Sequence, residues 1–230
     1  MFFNKLFKKD KIENPDYESS LENKGTTLFD KNIKLLVISD THGDLSLSKD
    51  MYKKLKNVDY DLCCILGDIH DYEYKVIFKY IPKDKIVAIL GNHDRFGLLS
   101  EQGLNDINGK VIDINGVRIG AIQGSYKYKN EAFPSFTHET SIEFLNKMSD
   151  VDILLSHDKP FTYDYKDPAH DGLKGITYFL YKNRVPINIH GHIHKSYLSN
   201  LKNGTQVKGV YCVELIDIKN GKIINNISHY

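Results

Sequence analysis

The sequence predicts an α/β protein of α+β-like character, with two packed mixed β-sheets flanked by helices. Three observations carry that expectation. Short runs rich in Val, Ile and Leu recur along the chain, as in IKLLVIS (33–39), DLCCILG (61–67), KIVAILG (85–91) and VDILLSH (151–157). Strands covered on both faces read as continuous apolar runs of this kind. Segments with helical spacing separate the early runs, and a β-α-β-α-β order implies parallel pairing. Later strand-like runs are joined instead by Asn-Gly, the strongest short hairpin signal.

In chain order, residues 1–11 (MFFNKLFKKDK) set Phe2, Phe3, Leu6 and Phe7 against Lys5, Lys8, Lys9 and Lys11. They lack the apolar centre and small-residue cleavage site of a signal peptide. One reading is an arm that associates with a membrane surface or a partner, and the other is a flexible or self-packing tail. Residues 10–32 are polar, with Pro15 and Gly25, and read as irregular. The chain thus divides into an N-terminal arm (1–32), irregular or flexible, and a domain (33–230).

Within the domain, residues 46–57 have helical spacing through Leu47, Met51 and Leu55, and residues 72–80 are predicted helical around Val76, Ile77 and Tyr80. Residues 110–124 form two strands around Asn115-Gly116. A helix is expected over 138–148, with Ile142, Leu145 and Met148 on one side, and another over 172–182 after Asp171. PINIHG (186–191) reads as a short strand, and residues 207–227 as a hairpin turning at Asn220-Gly221.

Composition bounds the function. The 230 residues are 41% hydrophobic and 27% charged, with a formal charge of +1. That charge is too small to hold a long polyanion, so no long nucleic-acid partner is expected. Cys63, Cys64 and Cys212 have no spaced framework. Free thiols in a reducing, cytoplasmic setting are expected, and a thiolate zinc site is not. No apolar run approaches the length of about 18 residues that would span a membrane.

Five stretches concentrate the chemistry. They are Asp40-Thr41-His42, Gly67-Asp68 with Asp71, Gly91-Asn92-His93-Asp94, Ser156-His157-Asp158, and Gly191-His192-Ile193-His194. Four of them follow buried-strand runs. A single Asp at a strand end is ordinarily a turn or cap residue. Five such clusters in one chain call for a shared site. Oxygen and nitrogen donors without thiolate suit hard or borderline divalent cations. Asp40 and His42, one residue apart, can face the same way, and His192 and His194 repeat that spacing. The Asp68 carboxylate has two oxygens with which to bridge two ions. Asn92 adds a carbonyl oxygen and His157 a nitrogen.

The ordered set D-x-H, G-D-x-x-D, G-N-H-D, H and G-H-x-H resembles the calcineurin-like metallophosphoesterases, from about Lys34 to Ile224. The resemblance implies a four-layer sandwich and a binuclear metal centre that hydrolyses phosphate esters. It implies one ion on Asp40, His42, Asp68 and His194, and a second on Asp68, Asn92, His157 and His192. Manganese is the first expectation for both, with Fe, Zn, Co and Ni as alternatives. By the same resemblance His93 faces the substrate and Asp71 orients it. Two ions about 3.5–4 Å apart bind phosphoryl oxygens and turn a bridging water into a hydroxide nucleophile. His93 is then the candidate general acid for the leaving alkoxide.

The substrate is less legible. Tyr72 stands where phosphoprotein phosphatases of this superfamily carry an arginine after G-D-x-x-D, which favours the small bacterial-type phosphodiesterases and a nucleotide-like substrate. Arg95, Arg118, Asn92 and His170 are candidate substrate contacts. His190 is a candidate support for His192. Loops 125–136 and 159–172 are rich in Tyr and Phe, and aromatics beside phosphate chemistry can stack on a base. The alternatives are a phosphomonoesterase or phosphoprotein phosphatase, an inactive partner-binding scaffold of the same fold, and a nuclease component.

Overall fold

The structure, a computed structural model, describes residues 17–44, 58–162 and 168–228. Residues 1–16 and the helix expected over 46–57 lie outside the described residues. The first half of the domain runs β1 (Asn32–Ser39), β2 (Leu62–Ile65), α1 (Asp71–Ile77), β3 (Ile86–Ala88), α2 (Leu98–Glu101) and β4 (Asn105–Asp106). The middle holds β5 (Val111–Ile114), β6 (Val117–Ile122), β7 (Ser125–Tyr126), β8 (Ser135–Phe136), α3 (His138–Leu145) and β9 (Ile153–Ser156). The last part comprises α4 (Lys174–Lys182), β10 (Ile187–His190), β11 (Tyr197–Asn200), β12 (Gln206–Gly209), β13 (Cys212–Lys219) and β14 (Lys222–Ser228).

These strands build two six-stranded mixed sheets. One has the order β14-β13-β1-β2-β3-β4, the other β11-β12-β10-β9-β6-β5, and β7-β8 form a separate pair. The apolar runs read from the sequence are the parallel centre of each sheet, β1-β2-β3 and β6-β9-β10. Alternation along them sets the layers. Ile33, Leu35 and Val37 of β1 meet Ile153 and Leu155 of β9 between the sheets. Leu36 and Ile38 face outward with Tyr74 and Ile77 of α1. Leu154 faces the other way, against Ile176, Phe179 and Leu180 of α4. Helix, sheet, sheet and helix therefore stack in four layers, as expected.

Both Asn-Gly hairpins form. Asn115 and Gly116 have φ of 56° and 82°, and Asn220 and Gly221 have 49° and 71°. Positive φ at both central residues matches the twist of the flanking strands. The C-terminal expectation needs one correction. Residues 207–209 do not extend that hairpin but belong to β12 in the second sheet, and the chain changes sheets before Cys212. The helices are also shorter than their apolar spacing implies. The first ends at Ile77, and the third at Leu145 rather than Met148.

Lys208 of β12 and Glu214 of β13 form a fully buried ion pair, 2.6 Å apart, that joins the two sheets. Residues 17–31 follow an irregular path along the domain. Glu18 Oε2 accepts from the Tyr181 hydroxyl at 2.7 Å, and the Thr27 N–H donates to the Arg184 carbonyl at 2.8 Å. Among the described residues no helix is long and apolar enough to cross a membrane.

Candidate metal centre

All five sequence stretches reach one end of the two sheets. Asp40 and His42 follow β1, and Asp68 follows β2. Asn92 and His93 lie beyond β3, His157 follows β9, and His192 and His194 follow β10. The loops are tied edge to edge. The Asp40 N–H donates to the Gly67 carbonyl at 3.1 Å, the His42 N–H to the Asp68 carbonyl at 3.2 Å, and the Gly191 N–H to the His157 carbonyl at 3.0 Å.

Glycine makes these approaches possible. A Cβ on Gly67, whose φ is +103°, would collide with the Gly91 backbone nitrogen. One on Gly191 would collide with Ser39 Oγ and Asp40 Oδ2. Backbone strain collects at the same place. Asp40, His42, Asp68, His192 and His194 all have positive φ, between 45° and 68°. Non-glycine residues adopt that conformation only when their surroundings impose it.

The donor atoms converge in two overlapping groups. Atoms of Asp40, His42 and His194 lie within 4.8 Å of one another, as do atoms of Asp40, Asp68 and His157. His42 Nε2 and His194 Nε2 face each other at 2.9 Å. His157 Nδ1–H donates to the Leu66 carbonyl at 2.8 Å, which turns Nε2 toward Asn92 Oδ1 at 2.9 Å and Asp68 Oδ2 at 3.5 Å. Asp40 Oδ1 and Asp68 Oδ2 are buried and have no hydrogen-bond partner among the described residues. Leaving a buried charged acceptor unpaired costs several kcal/mol. Imidazole and amide donor atoms crowded around two buried carboxylate oxygens without hydrogen-bond partners are what a cation would organise. The residues present therefore fit bound divalent metal.

The other carboxylate oxygens are fixed by the protein. Asp40 Oδ2 accepts from Ser39 Oγ at 2.5 Å and from the His192 N–H at 2.8 Å. Asp68 Oδ1 accepts from the His93 N–H at 2.8 Å. Burial pushes the Asp40 carboxyl up, but His194, His157, Ser39 and His192 together outweigh it and hold it down at about 2. Burial likewise opposes charge on His157, yet Asp68 and Asp40 raise its proton affinity. His42 moves the other way, since burial outweighs the pull of the same two carboxylates.

His192 shares the site differently from His157. Its ring lies 5.1 Å from that of His157, and its Nε2 is 3.2 Å from the Ala169 carbonyl, leaving Nδ1 as the nitrogen not so engaged. His93 is exposed at the lip, with its ring edge-on to His42 at 5.5 Å. The half-buried His170 ring lies 4.8 Å from His192. His190 is fully buried. Its Nδ1–H donates to the Gly191 carbonyl at 2.8 Å, and its Nε2 accepts from the Tyr197 hydroxyl at 2.6 Å.

Asp71, expected beside His93, is bonded to Arg95 instead, with Oδ2 and Nη2 2.8 Å apart. Arg95 also pairs with Glu101, and all three are exposed. Arg95 is thus held between two carboxylates. Arg118 lies on β6 and pairs with Asp152 at 2.8 Å.

Glu73 was not legible as a site residue. It is fully buried, and its Oε2 accepts from Thr41 Oγ1 at 2.9 Å, the Gly43 N–H at 2.9 Å and the His70 N–H at 3.0 Å, anchoring the loop that carries Asp40 and His42. In the sequence it is an acid in the first turn of a helix, an ordinary capping position. Asp94 is equally central. Its Oδ2 accepts from the Gly91 N–H at 2.7 Å and the Asp68 N–H at 2.8 Å, and its Oδ1 from the Ile69 N–H at 3.2 Å.

The calcineurin-like phosphoesterase family model matches residues 33–196. The chain belongs to that family. The match takes in every stretch of the metal centre. No curated protein sequence matches the chain significantly. Among solved structures, TT1561 of Thermus thermophilus is similar over 85% of this chain and 98% of its own, with a TM-score of 0.61 at 11% identity. Phosphopantetheinyl hydrolase (PptH) from Mycobacterium tuberculosis is similar over 78% of this chain and 89% of its own, with a TM-score of 0.56 at 13% identity. At such identities the likeness is one of fold.

Proposed function

We propose that the protein is a metal-dependent hydrolase of phosphate esters, a phosphodiesterase acting on a small, nucleotide-like substrate. The observation that carries this reading is the pair of buried, unpartnered oxygens, Asp40 Oδ1 and Asp68 Oδ2, amid imidazole and amide donors. Two divalent ions are assigned, one to Asp40, His42, Asp68 and His194, the other to Asp68, Asn92, His157 and His192. Manganese is the first choice by the habit of the family, and the mixed His, Asp and Asn donors equally suit Fe, Zn, Co and Ni. When bound, such ions neutralise phosphoryl oxygens and activate water for in-line attack.

The chain's own residues do the rest. Asp68 Oδ1 holds the His93 backbone N–H, so the loop bearing the general acid is fixed to the central carboxylate. From the lip, the His93 imidazole N–H donates its proton to the departing ester oxygen. His170, beside His192, and Arg95, steered by Asp71 and Glu101, are the proposed substrate contacts on either side. The three cysteines are buried and free, which supports the cytoplasm as the place of action.

The test is hydrolysis by purified, Mn²⁺-loaded protein of bis-p-nitrophenyl phosphate, p-nitrophenyl phosphate and 2′,3′-cyclic nucleotides. Diester turnover that disappears in Asp40→Asn supports the reading. Preference for the monoester would make the protein a phosphatase. No turnover of any ester, with metal bound, would make it a scaffold of the same fold.

A further inference from the structure

We propose that the metal centre is flanked by a subsite for a planar aromatic group, the base of a nucleoside phosphoester, formed by Phe96, Tyr128 and Phe133. The proposal deepens the phosphoester reading and rests on it.

Phe96 lies on the same loop as Asn92 and His93, and at 59% exposure it is the most exposed large hydrophobic side chain among the described residues. Phe96 and Phe133 line one groove of about 350 Å³, together with Lys127 and Glu131. Tyr128 packs on Phe133, with ring centroids 5.2 Å apart. Its hydroxyl reaches to 3.5 Å from Asn92 Nδ2, whose sister atom Oδ1 faces His157. Lys129 Nζ lies 5.1 Å from the Phe133 ring centroid and steadies that face.

A chain of contacts runs from the Asn92 amide to the Tyr128 hydroxyl and from the Tyr128 ring to Phe133, which lines the groove together with Phe96. A phosphoryl group between Asn92, His157 and His93 would send its ester substituent along this path. The phenol is placed to donate a hydrogen bond to a phosphoryl or ester oxygen, and the exposed Phe96 ring offers a stacking face backed by the buried Phe133. The ligand class follows from the walls. Glu131 is already paired with Lys129 at 3.1 Å, so what the groove offers is the flat faces of the exposed Phe96 and Tyr128 rings, which a heteroaromatic base matches by stacking. Stacking of one base on such a face contributes about tenfold in affinity.

The experiment compares adenosine 5′-(methyl phosphate) with ribose 5-(methyl phosphate), which share the reacting diester and differ only in the base. Methanol release is followed by NMR on Mn²⁺-loaded protein. The expected result is a kcat/KM about tenfold higher for the adenosine ester. Phe96→Ala and Tyr128→Ala should shrink that ratio at least threefold, and Phe96→Tyr should restore it. Equal kcat/KM for the two esters in the wild type, or variants that slow both equally, would overturn the subsite.

If neither ester is turned over, the hydrolase reading fails and equilibrium binding decides the subsite. Calorimetry with AMP and ribose 5-phosphate should show about tenfold tighter binding of AMP, reduced in Phe96→Ala. Equal affinities would overturn the proposal. Both aromatic residues are exposed, so the variants test binding without disturbing the core.

Discussion

Asp94 accepts the backbone N–H of Asp68 at 2.8 Å, so one carboxylate holds in place the backbone that presents another. The Gly91 and Ile69 N–H groups donate to Asp94 as well. The residue that follows Asn92-His93 thus splices the second and third motif loops together. Without it three buried N–H donors lose their acceptor. Burial, with Asp68 second, pushes the Asp94 carboxyl up to about 6, and relief of that strain offsets part of the loss. Asp94→Ala should still destabilise the metal-free protein by about 3 kcal/mol. Urea denaturation of variant and wild type checks the figure. A change below about 0.5 kcal/mol would mean that the loops hold each other by other means.

His93→Ala should retain its metal and lose turnover by about 10²–10⁴-fold, the range for a lost general acid. The loss should be smallest for esters with good leaving groups, which need no proton. A uniform loss across leaving groups, measured as kcat on substituted phenyl esters, would assign His93 to phosphoryl binding instead.

The buried Lys208–Glu214 pair spans the two sheets, and its two members should respond differently to single and double replacement. Lys208→Met leaves Glu214 charged and unpaired in the core and should cost about 3–5 kcal/mol. Lys208→Met with Glu214→Leu should recover most of that, because a buried ion pair is roughly exchangeable for apolar residues of similar volume. Thermal unfolding of the three proteins decides. A double variant as unstable relative to the wild type as the single one would show that the ions are worth more than their desolvation.

His138 gives a pH dependence with a definite sign. Its ring stacks on Tyr126 at 4.6 Å, and burial, helped by Lys174, pushes it down from 6.5 to about 4. The unfolded chain therefore takes up a proton at higher pH than the folded one. The stability linked to His138 is present in full above pH 6.5 and is lost as pH falls toward 4. The wild type should lose up to about 1.4 kcal/mol per pH unit relative to His138→Gln across that window. Parallel stability curves for the two proteins would remove His138 as the cause.

The legible part of the fold was the part set by local rules. Apolar runs named the parallel strands, and Asn115-Gly116 and Asn220-Gly221 named both hairpins with their positive φ. What the sequence hid depends on tertiary pairing. Gln206–Gly209 looks like a continuation of β13 because nothing local marks the passage from one sheet to the other. The candidate site divides in the same way. Ligand types and one-residue spacings announced Asp40, His42, His192 and His194, because chemistry of that kind is carried by residue identity. Glu73 matters through where it ends up, and its residue type is common at helix starts. The Asp71–Arg95 pairing was hidden too, since either Arg95 or His93 is near enough in sequence to serve as partner, and only the loop's path selects Arg95.

The two-ion assignment stands or falls on a crystal structure of the Mn²⁺-loaded protein with data collected at the manganese edge. Two anomalous peaks are predicted, one among Asp40, His42, Asp68 and His194 and the other among Asp68, Asn92, His157 and His192, with Asp68 common to both. Manganese found away from these residues, or no ion among them at saturating metal, would contradict it.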